Sequence, residues 1–198
     1  MKNNRIQNER IPSDSASSYP KLASGSLQLN PPHYEASYYG PANMLLTTYF
    51  PASLQFLVKP QARLREPPQP AERHSFDSYG QPVGTSNKDG NPDFLVSRGT
   101  SALDGDIPFL IYELKRDDVS EGEAMAQMER YIHWARRYQL QLVSPSELHI
   151  YALLVFGEQT QIFGMDPDAT FTHTGPRVGT TDDTILTLFH SLRSSHGT

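Results

Sequence analysis

Apolar positions along the chain change their period several times, and each change marks an element. The segment YEASYYGPANMLLTTYF, residues 34 to 50, is dense in aromatic and aliphatic residues. It predicts a first helix through Asn43, Leu46 and Phe50, with Pro41 in its opening turn, where a missing N–H costs nothing. Leu54 to Lys59 is a short apolar run followed by the alternating QARLRE, which suits a strand that begins buried and finishes at an edge. Asp93 to Arg98 and Ile107 to Arg116 read as two strands joined by the turn GTSALDGD, a hairpin. Ser120, with Glu123 three residues on, has the spacing of a reciprocal capping box. The helix it opens runs to about Tyr138, with Met125, Met128, Ile132 and Ala135 on one stripe. Leu148 to Phe156 and Gln161 to Met165 read as two buried strands around the EQT turn. TDDTILTLFHSL reads as a closing helix capped at Thr181 or Asp182, and the final SSHGT as frayed.

The element order is therefore α-β-β-β-α-β-β, an α/β protein in the broad sense: an α+β mixed sheet flanked by helices. Residues 1 to 30 are rich in Ser and Asn and have no apolar period, so they are expected to be a disordered tail. A single domain is expected over residues 31 to 193, with a Pro-rich loop at 66 to 91 holding Pro67, Pro68, Pro70 and Pro82. No repeat is present.

Composition narrows the chemistry. With 198 residues, 37% of them hydrophobic, the chain is long enough for a real core, and no run of eighteen apolar residues offers a membrane span. The polar start MKNNRIQNER lacks the apolar centre of a secretory signal, so an intracellular setting, nuclear or cytoplasmic, is expected. There is no cysteine, which removes disulfides, thiolate metal sites and thiol nucleophiles and leaves oxygen ligands or histidine for any metal. The histidines show no paired metal-binding spacing. A net charge of -5 argues against nonspecific coating of nucleic acid but not against an enzyme that acts on it.

The candidate chemistry lies between residues 92 and 131. Pro92-Asp93 opens one strand of the hairpin and Glu113-Leu114-Lys115 closes the other. The turn can therefore bring Asp93 beside Glu113, and the two-residue period of a strand puts Glu113 and Lys115 on one face. Two carboxylates at a strand end suit a hard cation, Mg²⁺ or Mn²⁺, with Lys115 adding positive charge for an attacking hydroxide and a phosphate.

This arrangement resembles the PD-(D/E)XK nuclease superfamily, whose motif is Pro-Asp, a gap spanning a hairpin, then acid-x-Lys. Gln127-Met-Glu-Arg-Tyr131 is similar to the Gln-x-x-x-Tyr helix of its RecB-type and lambda-exonuclease-type branch. The resemblance covers roughly residues 34 to 165. It implies a restriction-endonuclease-like core and metal-dependent hydrolysis of phosphodiester bonds, in DNA before RNA. It further implies that Asp93 and Glu113 hold the metal, with Glu35 on the first helix as a third ligand matched by position. Lys115 would stabilise the nucleophile, Gln127 would orient the site, and Tyr131 would lie against the site or the substrate backbone. Arg116 and Arg130 stand as secondary phosphate contacts. Pro167-Asp168 serves as an internal control, since it has neither acid-x-Lys nor the helix motif after it.

Each residue also has a plainer use. Asp93 can be a turn residue, Glu113 with Lys115 a surface ion pair contributing roughly 0 to 1 kcal/mol, Tyr131 a core aromatic beside Trp134 and Tyr138, and Gln127 a solvated side chain. The alternative function is a catalytically inactive module of the same fold that binds nucleic acid or a protein partner. A protein partner or a homo-oligomer stays open in either case.

Overall fold

A computed structural model describes residues 36–64, 75–76, 82–83, 90–100, 105–116, 118–144, 149–165, 171–173 and 175–197. The expected tail at 1 to 30, Glu35 and most of the Pro-rich stretch at 66 to 91 lie outside these. The elements, in chain order, are α1 (Ala36–Tyr49), β1 (Phe56–Pro60), β2 (Ser75–Phe76), β3 (Pro82–Val83), β4 (Phe94–Arg98), β5 (Ile107–Lys115), α2 (Glu121–Gln139), β6 (Ile150–Phe156), β7 (Gln159–Met165), β8 (Phe171–His173), β9 (Val178–Gly179) and α3 (Asp183–His196).

The main sheet runs β1-β4-β5-β6-β7-β8, with β9 also paired to β7; β2 and β3 form a separate two-stranded ribbon. Every pairing in the main sheet is antiparallel except β5 with β6, which is parallel and has α2 as its crossover. The fold is thus a mixed α+β architecture with the main elements in the anticipated order. The short strands β2, β3, β8 and β9 carry too few residues to leave a period in the sequence.

Helices cover both faces. Ala42, Leu46 and Tyr49 of α1 and Ile185, Phe189 and Leu192 of α3 pack with Phe94, Val96, Tyr112 and Leu114 on one side. Met128, Tyr131, Ile132 and Ala135 of α2 pack with Leu95, Ile111, Ala152 and Leu154 on the other. β5 is central and buried along both faces, so its sequence is apolar without alternation until the charges begin.

Three local expectations are corrected. Pro41 lies inside α1, because the helix already starts at Ala36. The bond it cannot donate falls at an early turn, opposite the exposed Ser37, where water can replace it. Ser120 precedes α2 but makes no side-chain capping bond; the helix start is served by Glu121 and Glu123 in its first turn, with Arg136 and Arg137 in the last complementing the dipole. Ser194, Ser195 and His196, expected to be frayed, belong to α3, which continues to His196. The imidazole of His196 stacks on Phe109 with centroids 4.4 Å apart. Asp182 is the cap of α3, accepting from the Thr184 N–H at 2.8 Å.

A bulge separates the two ends of the hairpin. Phe94 pairs with Tyr112, Leu95 with Ile111 and Val96 with Leu110, but Ser97 pairs with Pro108, leaving Phe109 as the extra residue. Phe109 and Leu110 consequently both face the α1/α3 core. Continuing the register past Phe94 puts Asp93 opposite Glu113.

Candidate active site

The strand pattern alone assigns Asp93, Glu113 and Lys115 to the α2 face. Leu95 and Ile111 pack there, and alternation carries the same side to residues 93, 113 and 115. In the parallel pairing Glu113 lies beside Leu154 and Lys115 beside Phe156. The polar end of β5 therefore sits among strand ends, beside the first half of α2.

The three groups meet. The Asp93 backbone N–H donates to Glu113 Oε2 at 3.1 Å, and the Leu114 N–H donates to Asp93 Oδ2 at 2.7 Å. Lys115 Nζ donates to Glu113 Oε1 at 2.7 Å. A fourth donor is Tyr39 of α1, whose hydroxyl binds Asp93 Oδ1 while its ring tilts against Phe94 at 5.5 Å. Asp93 is 6% exposed and Glu113 3%. Asp93 is therefore more than a turn residue, and the Glu113–Lys115 pair is not a surface one.

Burial dominates the electrostatics. The Glu113 carboxyl is pushed up to about 7, first by desolvation and second by the neighbouring Asp93 charge, with the Lys115 hydrogen bond pulling the other way. One ammonium does not offset two adjacent buried carboxylates. Tyr131 is raised as well, first by burial and then by the Glu113 charge, which places its phenol within electrostatic reach of the acidic pair.

Gln127 and Tyr131 join this cluster through each other. Gln127 Nε2 donates to the Tyr131 hydroxyl at 2.6 Å, as four-residue spacing on one helix face allows. The Tyr131 ring also packs on Trp134, centroids 6.0 Å apart, so the core role and the site role belong to one residue. Gln127 is half-buried rather than solvated. Arg116 is elsewhere: it is exposed and paired with Asp118 at 2.7 Å. Arg130 lies on the exposed side of α2. Glu35 is outside the described residues.

Three contributors escaped the sequence reading. Tyr39 sits in a run of aromatics that gives no sign of which ring turns inward. Gly90 falls within the loop expected at 66 to 91, yet it bridges to Leu64 and passes directly over α2. A Cβ on it would come 2.2 Å from Tyr131 Cε1 and 2.6 Å from Trp134 Cζ3. Only glycine lets the backbone press on the tyrosine there. Arg177 lies 4.7 Å over the Phe156 ring and pairs with Glu121 at 2.7 Å, bringing a second cation to the strand neighbour of Lys115.

The donor set fits a hard divalent cation. Among the described residues no group of three His, Asp or Glu gathers as a complete cage, but Mg²⁺ is commonly held by one or two carboxylates, with waters and substrate phosphate filling the rest of its octahedron. Among the described residues each carboxylate oxygen is given one hydrogen bond, and a carboxylate oxygen has lone pairs for two. A cation would also offset the Asp93 repulsion, the second cause of the raised Glu113 value. Comparison with protein-family models, characterised proteins and solved structures gave no match.

Proposed function

We propose that the chain is a metal-dependent phosphodiesterase of nucleic acid, acting on DNA before RNA, built on a restriction-endonuclease-like core. The single observation that carries this reading is the hydrogen-bonded trio of buried Asp93, buried Glu113 and half-buried Lys115, with Glu113 pushed up to about 7. Such perturbed acids concentrate at functional sites because a purely structural core gains nothing from a second buried carboxylate.

Asp93 and Glu113 would hold Mg²⁺ or Mn²⁺. Such an ion supplies an activated water at neutral pH and neutralises charge on the phosphate. The chain's own residues do the positioning. Tyr39 and the Leu114 N–H fix the Asp93 carboxylate from two sides, and the Asp93 N–H and Lys115 fix Glu113. Lys115 is the one cation hydrogen-bonded within the trio, so it is the group that steadies a developing negative oxygen. Gln127 acts through Tyr131 and is a positioning residue.

The inactive-module reading is favoured by one feature: all four carboxylate oxygens already have donors within the chain. A calorimetric titration of Mn²⁺ into the wild-type chain decides between the two. Saturable binding that is lost in Glu113→Gln supports the enzyme. Absence of binding heat supports the inactive module.

A further inference from the structure

At the opposite end of the same strands a cavity of about 620 Å³ opens between the start of β5, the start of β6 and the last turns of α3. Arg98, which closes β4, lies roughly 15 Å along its strand from the Asp93 end, at about 3.3 Å per residue. The cavity is therefore separate from the acidic trio.

Among the described residues its polar wall is made of Arg98, His149, Tyr151, Ser191, Ser195 and His196, none of them a carboxylate. The Ser195 hydroxyl is committed to the Ser191 carbonyl at 2.9 Å, so Arg98, Ser191, Tyr151 and the imidazoles are the groups that can donate inward. Ile107, Val143 and Leu192 supply the apolar part. Phe109 backs the His196 ring at a 17° interplanar angle, which holds the imidazole in place as a flat wall.

We propose that this cavity binds a small phosphomonoester carrying a flat ring, with the phosphate on Arg98 and the ring against the aromatic wall. Arg98 presents a fixed fork of donors suited to phosphate geometry, and among the described residues it has no carboxylate partner. The volume lies within the roughly 300 to 1,000 Å³ of small-molecule sites, so a bare inorganic ion would leave most of it unfilled and the apolar residues unused. His196 is held down at about 4, first by burial and then by the charges of Arg98 and His149. The positive field that an anion would neutralise is thus felt inside the cavity. The competing use of Arg98 and His149 is to offset the carbonyl ends of α2 and α3.

The test is calorimetry on the full chain without divalent metal, using adenosine 5′-monophosphate, adenosine and inorganic phosphate as probes. The expected result is one-to-one binding of the nucleotide, weaker binding of phosphate, and no detectable binding of adenosine. Arg98→Gln is expected to weaken the nucleotide about tenfold or more, the usual scale for losing a charged hydrogen-bond donor. Ser191→Trp, an exposed position that narrows the cavity without touching the core, is expected to weaken it comparably, and Lys115→Ala to leave it unchanged. Three results would overturn the proposal: no nucleotide binding, binding that survives both cavity substitutions, or binding lost in Lys115→Ala. An Arg98→Gln variant that melts lower while the wild type binds nothing would establish the dipole role instead. Because no divalent metal is present and the trio is not involved, failure here leaves the nuclease reading untouched.

Discussion

Glu113 and His196 sit at opposite ends of the central strands, and the same two causes act on both. Burial pushes each toward its neutral form; a like-charged neighbour then adds to the push, Asp93 for the acid and Arg98 with His149 for the base. The directions are opposite, up to about 7 for Glu113 and down to about 4 for His196. Among the described residues, the acidic pair Asp93 and Glu113 thus gathers at one end of the sheet and Arg98 with His149 at the other. The net charge of -5 describes neither end. Local assembly of charge, not its sum, decides which ligand each can take.

The contrast can be broken most severely at Lys115. Lys115→Ala removes the cation that is hydrogen-bonded to Glu113, and cleavage is expected to fall by roughly 10²- to 10⁴-fold, the scale for losing a positioned charge or proton-transfer group. The melting temperature is expected to move little, because Glu113 can take up a proton when its partner is gone. Wild-type turnover in that variant would contradict the role given to Lys115.

Gly90→Ala tests the same end through packing. With a Cβ 2.2 Å from the Tyr131 ring, the backbone or the ring must shift. A loss of about 1 to 3 kcal/mol is expected for overpacking of this kind. At roughly 2 to 4 °C per kcal/mol for a chain of this size, thermal unfolding would register it clearly. A parallel drop in cleavage would tie the position of Tyr131 to the site.

The pH dependence of stability sharpens the comparison. Glu113 has a folded value above its unfolded one, so its contribution is fully present below about 4.5 and is lost as pH rises to about 7. His196 has a folded value below its unfolded one, so its contribution is present above about 6.5 and is lost as pH falls through about 4. The two slopes oppose each other over most of that window. Glu113→Gln is therefore expected to unmask a stability that rises with pH, and His196→Phe one that falls with pH, in urea unfolding from pH 4 to 8. Identical profiles for both variants would remove the basis of the contrast. The smallest effect is expected at Arg116→Gln, which breaks an exposed pair with Asp118 and should leave melting unchanged.

The acidic end was largely legible in the sequence because its residues obey short-range rules. Period two aligned Glu113 with Lys115, helical spacing joined Gln127 to Tyr131, and an antiparallel turn brought residue 93 to residue 113. Tyr39 was not legible, since which of several neighbouring tyrosines turns inward depends on where α1 starts, and the helix begins ahead of Pro41. Ser120 shows the limit of a spacing rule: the capping residues are present, but the serine side chain makes no capping bond. The cavity end had no local signature at all. It is assembled from residues 98, 107, 143, 149, 151, 191, 192, 195 and 196, far apart in sequence, with a bulge after Val96 between the two ends of the hairpin. Only the folded sheet brings them together.

The most direct test of the central claim is cleavage of labelled linear and circular DNA, single- and double-stranded, with Mg²⁺ or Mn²⁺, comparing wild type with Asp93→Ala and Glu113→Ala. The expected result is metal-dependent cutting by the wild type that disappears in both variants while each remains folded. Cutting that persists in both variants, or a folded wild type that cuts none of the substrates, would contradict the assignment of the acidic end as a nuclease site.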